Sequence, residues 1–263
     1  MDKPLSPPAR LIFGFVAVNA LIGAVILLFF PARTATLFFW EIMPPINAAL
    51  FGALYLGGAA VVGWLTWGGV WEPARFITPV LVSAGVFISI TTLLHLDRFA
   101  PGIRLVYWLI IYIGAPLLAL GIYRQHERGG ANWAVDRPLR PLTVAVAGVL
   151  GALLVVAGAA VIAFPGPVVA GWPWPTGPLM VRIFASWFAA FGVGLLWFRV
   201  DREWTRVRLI PLMMIGASAL DLAMVAVHRA DLKPIGASFW LFVFHLALFG
   251  VVGAGMLYWQ RAK

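Results

Sequence analysis

The 263-residue chain is 62% hydrophobic and 11% charged, against roughly 25% charged in a water-soluble domain, which excludes a soluble globule. Lys and Arg outnumber Asp and Glu by 19 to 10, and the surplus sits in links between apolar runs. That pattern speaks for membrane orientation and against nucleic-acid binding, and the absence of cysteine excludes disulfides, thiolate nucleophiles, cysteine-ligated zinc and iron–sulfur clusters.

Apolar stretches predict eight helices, at residues 11–30, 46–67, 76–95, 105–123, 142–164, 179–198, 209–228 and 239–258. Each is about 20 residues long, enough to cross a hydrocarbon core of about 30 Å, and helix is required because lipid leaves backbone amides no other partner. The first stretch follows Lys3 and Arg10, but it is longer than a signal-peptide core and no small-x-small site follows, so it reads as a retained span. The link at residues 31–45, with Phe38, Phe39 and Trp40, is expected to rest in the membrane interface.

An even number of spans puts both termini on one side. That side carries 13 of the 19 basic residues, among them Arg75, Arg124, Arg128, Arg137, Arg140, Arg199, Arg202, Arg206 and Arg208. The other carries Arg33, Arg98, Arg104, Arg182, Arg229 and Lys233, so the positive-inside rule places both termini in the cytoplasm. The basic, Gly- and Pro-containing link at residues 124–141 is expected to be a solvated, mobile linker.

The chain matches itself when shifted. Phe30-Pro31 meets Phe164-Pro165, Trp40 meets Trp174, Pro44 meets Pro178, Pro79 meets Pro211, His95 meets His228 and Tyr123 meets Tyr258. Rare residues carry these matches, which points to duplication rather than shared hydrophobicity. The expected fold is therefore all-α and integral to the membrane: two tandem four-helix repeats, residues 1–123 and 142–263, related by a pseudo-twofold along the membrane normal. Such a pair offers a site between its halves.

The strings Ile42-Met-Pro-Pro-Ile-Asn-Ala-Ala-Leu-Phe-Gly-Ala-Leu-Tyr55, Leu94-His-Leu-Asp-Arg-Phe99 and Tyr112-Ile-Gly-Ala-Pro116 resemble a family of bacterial multi-span membrane proteins without assigned activity. The second half, with Trp172-Pro-Trp-Pro-Thr-Gly-Pro178, resembles a degenerate copy. The resemblance implies a multi-pass protein of the bacterial cytoplasmic membrane and supplies no mechanism.

Candidate site residues gather on the non-cytoplasmic side. His95, Asp97 and Arg98 end the third span, His228 and Asp231 end the seventh, and Glu41 lies in the first link. A His with a nearby carboxylate suits proton handling or a metal, and His95 with His228 would ligate a haem b if one were present. The competing reading is that these side chains simply reach into headgroups. Asp221 is the carboxylate set well inside an apolar span, seven residues before His228, and at that depth an acid must be protonated, paired or facing a cavity. A structural bond to Asn19, Ser89 or Ser186, or a pair with Arg182, would serve. His245, two turns into the eighth span, is expected to bond a neighbouring helix. The runs Gly57-Gly58, Gly192-x-Gly194 and Gly250-x-x-Gly253-x-Gly255 are expected at close helix contacts.

Three functions compete. The least demanding is a non-enzymatic binding or accessory subunit that associates with lipids, a hydrophobic ligand or other membrane subunits. The others are a proton-coupled carrier of a lipophilic molecule, using a cleft between halves, and a redox subunit holding haem b or quinone. No phosphate-binding loop, His-Glu-x-x-His helix or nucleophile elbow is present.

Overall fold

The computed structural model describes residues 3–261. Among them eight helices are long and apolar enough to span a membrane: α1 (Pro7–Phe29), α2 (Pro45–Gly68), α3 (Trp71–Leu93), α4 (Ile103–Arg128), α5 (Pro141–Ala163), α6 (Pro178–Arg199), α7 (Trp204–Val227) and α8 (Ala237–Arg261). The described residues hold no strand, only two isolated bridges. The protein is thus an all-helical, polytopic membrane protein, as its apolar periodicity requires. Proline opens α1, α2, α5 and α6, where its missing N–H leaves no bond unmade and its fixed φ suits the first turn. Helix α4 runs five residues beyond its apolar stretch, to Arg128, because backbone bonding continues after the side chains turn polar.

The helices pack in pairs within each half of the sequence, and two of the pairings join the halves. Helix α1 lies along α2, α5 along α6 and α7 along α8, whereas α2 packs on α7, α3 packs on α6, and α4 sits against α3. Contacts are lighter between α1 and α4 and sparse between α5 and α8. Helices α2 and α6 are therefore central. Over their most apolar stretch 56% and 67% of residues are buried, against 22% for α1 and α8. The outer faces expose Leu11, Leu117, Val156 and Leu241, as expected of a surface turned to the bilayer.

Close approach depends on four of the seven glycines the sequence singles out, Gly192, Gly194, Gly250 and Gly253, and on others it does not. A Cβ on Gly151 would lie 2.7 Å from the Gly192 carbonyl, and one on Gly85 would lie 2.6 Å from the Tyr112 carbonyl. Gly192, Gly250 and Gly253 do meet a facing helix, whereas Gly57 and Gly58 look onto open space. Gly58 borders a small void between α2 and its neighbours instead of a helix contact.

Two links differ from expectation. Residues 31–45 rest on the surface only in part: Leu37, Glu41 and Met43 are exposed, but Phe38, Trp40 and Ile42 are buried, and Phe38 packs edge-on to Phe51 at 6.0 Å and to Trp108 at 6.3 Å. The apolar rings find more contact inside the bundle than in headgroups, and the Thr34 hydroxyl fixes the return by accepting from Ile42 N at 2.8 Å. The link at residues 124–141 is not a loose tether either. Leu139 N donates to Arg202 O at 2.9 Å, Trp204 N donates to Arg137 O at 2.9 Å, and Glu203 accepts from Asp136 N and Arg137 N at 2.7 Å each. The stretch is largely exposed, as its basic composition suggests, but its backbone is bonded to a neighbouring link.

A clustered polar network closes this same end of the bundle. Arg75 is fully buried over the Trp133 ring, 3.9 Å from its centroid, and donates to Asn132 O at 2.8 Å. Its guanidinium lies 3.6 Å from Glu127 and 3.9 Å from Asp201, while Arg206 reaches Asp201 at 2.9 Å. Glu72 takes Lys3 N at 2.9 Å and Asn132 N at 3.2 Å. These groups hold four connections together.

Candidate functional clefts

Two cavities of similar size sit where helix contacts are light. The first, about 370 Å³, lies between α1 and α4 beneath Leu37, Phe38 and Phe39. The second, about 390 Å³, lies between α5 and α8 beneath Trp172 and Pro173. Both are apolar-walled and fall in the range of roughly 300–1,000 Å³ usual for ligand pockets. Their rims include the exposed residues Ile22, Ile103 and Leu241, so both open onto the lipid-facing surface.

Polar groups in the first cleft come from three tyrosines, Asn19 and Arg104. The Tyr55 and Tyr112 hydroxyls hydrogen-bond to each other, and the Tyr107 hydroxyl donates to Asn19 Oδ1. Arg104 donates to Ala35 O at 3.1 Å and to Phe38 O at 3.4 Å, holding the aromatic link over the cleft. Tyr112 sits in a π-helical turn, Ile110–Gly114. Pro116 explains it: it has no N–H to donate to the Tyr112 carbonyl four residues back and its ring crowds that oxygen, so the backbone at Tyr112 widens. Gly85 gives that carbonyl room. None of these tyrosines was singled out from sequence. Their available signal was position, since Tyr55 and Tyr112 are hydroxyls in mid-span.

In the second cleft Phe188 meets the His245 ring edge-on at 5.7 Å, and Trp172 stacks on Phe184 at 5.8 Å. Lys233 donates to Trp172 O at 3.0 Å and so holds this link as Arg104 holds the first. His245 is exposed along the cleft, with Ser238 also in the lining. The interhelical hydrogen bond expected of His245 is not formed; its ring packs against Phe188 instead.

Asp221 lies behind the second cleft. It is 5% exposed, its Oδ1 has no hydrogen-bond partner, and it borders a void of about 20 Å³. Three of the four partners sequence suggested are taken: Arg182 donates to His95 Nε2 and to Ile162 O, at 2.8 Å each; the Ser186 hydroxyl bonds to Thr91 and to Arg182 O; Asn19 donates to Phe15 O at 2.8 Å. Ser89 sits on the rim of a different cavity.

The remaining candidates separate into distinct local pairs. His95 belongs to Arg182, and burial first, then that guanidinium, lowers its pKa below the ordinary imidazole value. His228 Nδ1 lies 3.5 Å from Asp231, and Asp231 also accepts Ile46 N at 3.0 Å, capping the first turn of α2. Asp97 and Arg98 pair with each other at 3.3 Å on the surface, and Glu41 is exposed. The structure thus gives the imidazoles of His95 and His228 separate partners. The space between the halves, expected to hold a cleft, is filled by the interlocked α2, α3, α6 and α7, with a cavity there of about 80 Å³ beside Tyr55 and Trp187. Comparison of the chain with protein-family models, curated proteins and solved structures finds no match.

Proposed function

We propose that the protein binds amphiphiles from the bilayer, taking an apolar tail into either of two lateral clefts while the polar end stays near the aromatic links. The observation that carries this reading is the pair of clefts themselves, each of ligand size, each roofed by an aromatic link that a cation holds in place, and each open to lipid. Cavities so poor in polar groups suit a hydrocarbon chain far better than a hydrophilic solute.

This reading includes two tandem four-helix units in a bacterial cytoplasmic membrane, with both termini cytoplasmic. The helix pairing supports the units, because exchanging each helix for the one four places on leaves the six most heavily packed pairs unchanged. So does a shared local device. Lys3-Pro-Leu-Ser-Pro7 and Arg137-Pro-Leu-Arg-Pro141 match at a shift of 134, and each pairs its backbone with the link ahead of α3 or α7, through Pro4 with Val70 and Pro138 with Glu203. The 13-to-6 distribution of basic residues supports the orientation.

Native mass spectrometry after delipidation tests the binding reading. Wild type should retain two amphiphiles, while Ala20→Trp and Ala157→Trp, which fill the first and second cleft, should each retain one at unchanged thermal stability. An unliganded wild type, or two amphiphiles in both variants, removes the reading.

A further inference from the structure

We propose that Asp221 holds the primary ammonium group of an alkylamine-like amphiphile whose tail occupies the α5/α8 cleft. This rests on the reading of that cleft as an amphiphile site. A carboxylate at this depth calls for a positive partner or a proton, and the chain supplies no Lys or Arg to the lining of either the void or the cleft. Its Oδ1 stands buried and unpartnered. Trp172, Phe184, Phe188 and Phe242 line both spaces and so form the partition between them.

Aromatic rings and one carboxylate form a chemically coherent surround for an organic cation, because the rings' negative faces attract it without competing hydration. Size narrows the choice. A void of about 20 Å³ admits one water-sized group. A primary ammonium has that size and presents three N–H donors to the orphaned oxygen, whereas a trimethylammonium exceeds it. Occupancy of both spaces by one molecule requires the rings of this partition to turn aside, joining head space to tail space. The equivalent region of the first half has Ile88 and Ser89 where α7 has Asp221, so the tyrosine-lined cleft lacks this charge.

The test is calorimetric titration of the protein in nanodiscs of zwitterionic lipid, with empty discs subtracted, at pH 7. The probes are dodecylamine, dodecanol and dodecyltrimethylammonium. Wild type should bind dodecylamine about tenfold or more tighter than the other two. Asp221→Asn, nearly isosteric, should lose that preference while still binding dodecanol. Equal affinities for amine and alcohol in wild type, or a preference that survives in Asp221→Asn, overturn the proposal and leave Asp221 a neutral acid beside one water. Failure of every probe to bind, with Ala157→Trp indistinguishable from wild type, instead removes the cleft reading and this inference with it.

Discussion

The indole N–H of Trp174 donates to Asn47 Oδ1 at 2.8 Å, joining residues 127 positions apart in the chain. Both side chains are fully buried. Asn47 spans the joint, since its amide nitrogen donates to Met43 O at 2.8 Å and its oxygen also lies 3.4 Å from the Thr176 hydroxyl. The link ahead of α6 is thereby bolted to the first turn of α2.

Replacing Asn47 by Leu strands the buried indole N–H. An orphaned buried donor costs about 1–3 kcal/mol, so Asn47→Leu should lower stability in detergent by that order. Adding Trp174→Phe removes the orphan. The double variant should therefore lose less than the sum of the single losses, as measured by chemical unfolding in mixed micelles.

The glycines of α2 and α3 give opposite expectations for one chemical change. A Cβ at Gly85 would fall 2.6 Å from the Tyr112 carbonyl and 2.8 Å from the Pro116 ring, so Gly85→Ala must push α4 away from α3. Overpacking of this kind costs about 1–3 kcal/mol. Gly57→Ala meets nothing within 4 Å and should gain helix propensity, up to about 1 kcal/mol. Thermal midpoints of the two variants in one detergent separate these outcomes.

Much of the fold is legible in the sequence because lipid makes helix the only solution for a long apolar run. All eight spans, from α1 to α8, coincide with such runs. What pattern alone does not encode is which helix meets which. The crossing of α2 to α7 and α3 to α6 arises from shape, at contacts such as Gly194 against Val80. Site legibility follows the same division. Asp221 stood out because a charge in hydrocarbon is costly, and the structure leaves it unpaired behind a cleft. Tyr55 and Tyr112 did not, since a tyrosine is unremarkable in an apolar run until the two hydroxyls are brought face to face. The histidines at the ends of α3 and α7 drew notice as a matching pair, yet each finds its partner locally.

The network around Glu203 should give the terminal end of the bundle a measurable acid sensitivity. Burial alone would raise its pKa, but hydrogen bonds from the Arg137, Thr205 and Asp136 backbone and the Thr205 hydroxyl outweigh it and hold the carboxyl below its ordinary value of 4.5. A depressed folded-state pKa contributes stability that is fully present above 4.5 and is lost as pH falls through the lower, folded value. Glu203→Gln should flatten the fall in thermal midpoint on acidification below that point, while making the protein less stable at neutral pH. Equal slopes for the two proteins would show that the carboxylate is not what fastens this link.

His95 should add a second acid-sensitive contribution at the opposite end. Its Nε2 lies 2.8 Å from the Arg182 guanidinium, so that nitrogen accepts and the ring is neutral. Burial and the nearby positive charge lower the folded pKa below the ordinary 6.5. Protons therefore bind the unfolded chain more readily, and stability declines as pH drops from 6.5 through the folded value. His95→Gln keeps an acceptor within reach of Arg182 but does not titrate. Its thermal midpoint should match wild type at pH 8 within about 1 kcal/mol of stability, the net worth of one hydrogen bond, and should exceed wild type at pH 5. A variant that tracks wild type across that interval would mean that His95 is already protonated and turned away from Arg182.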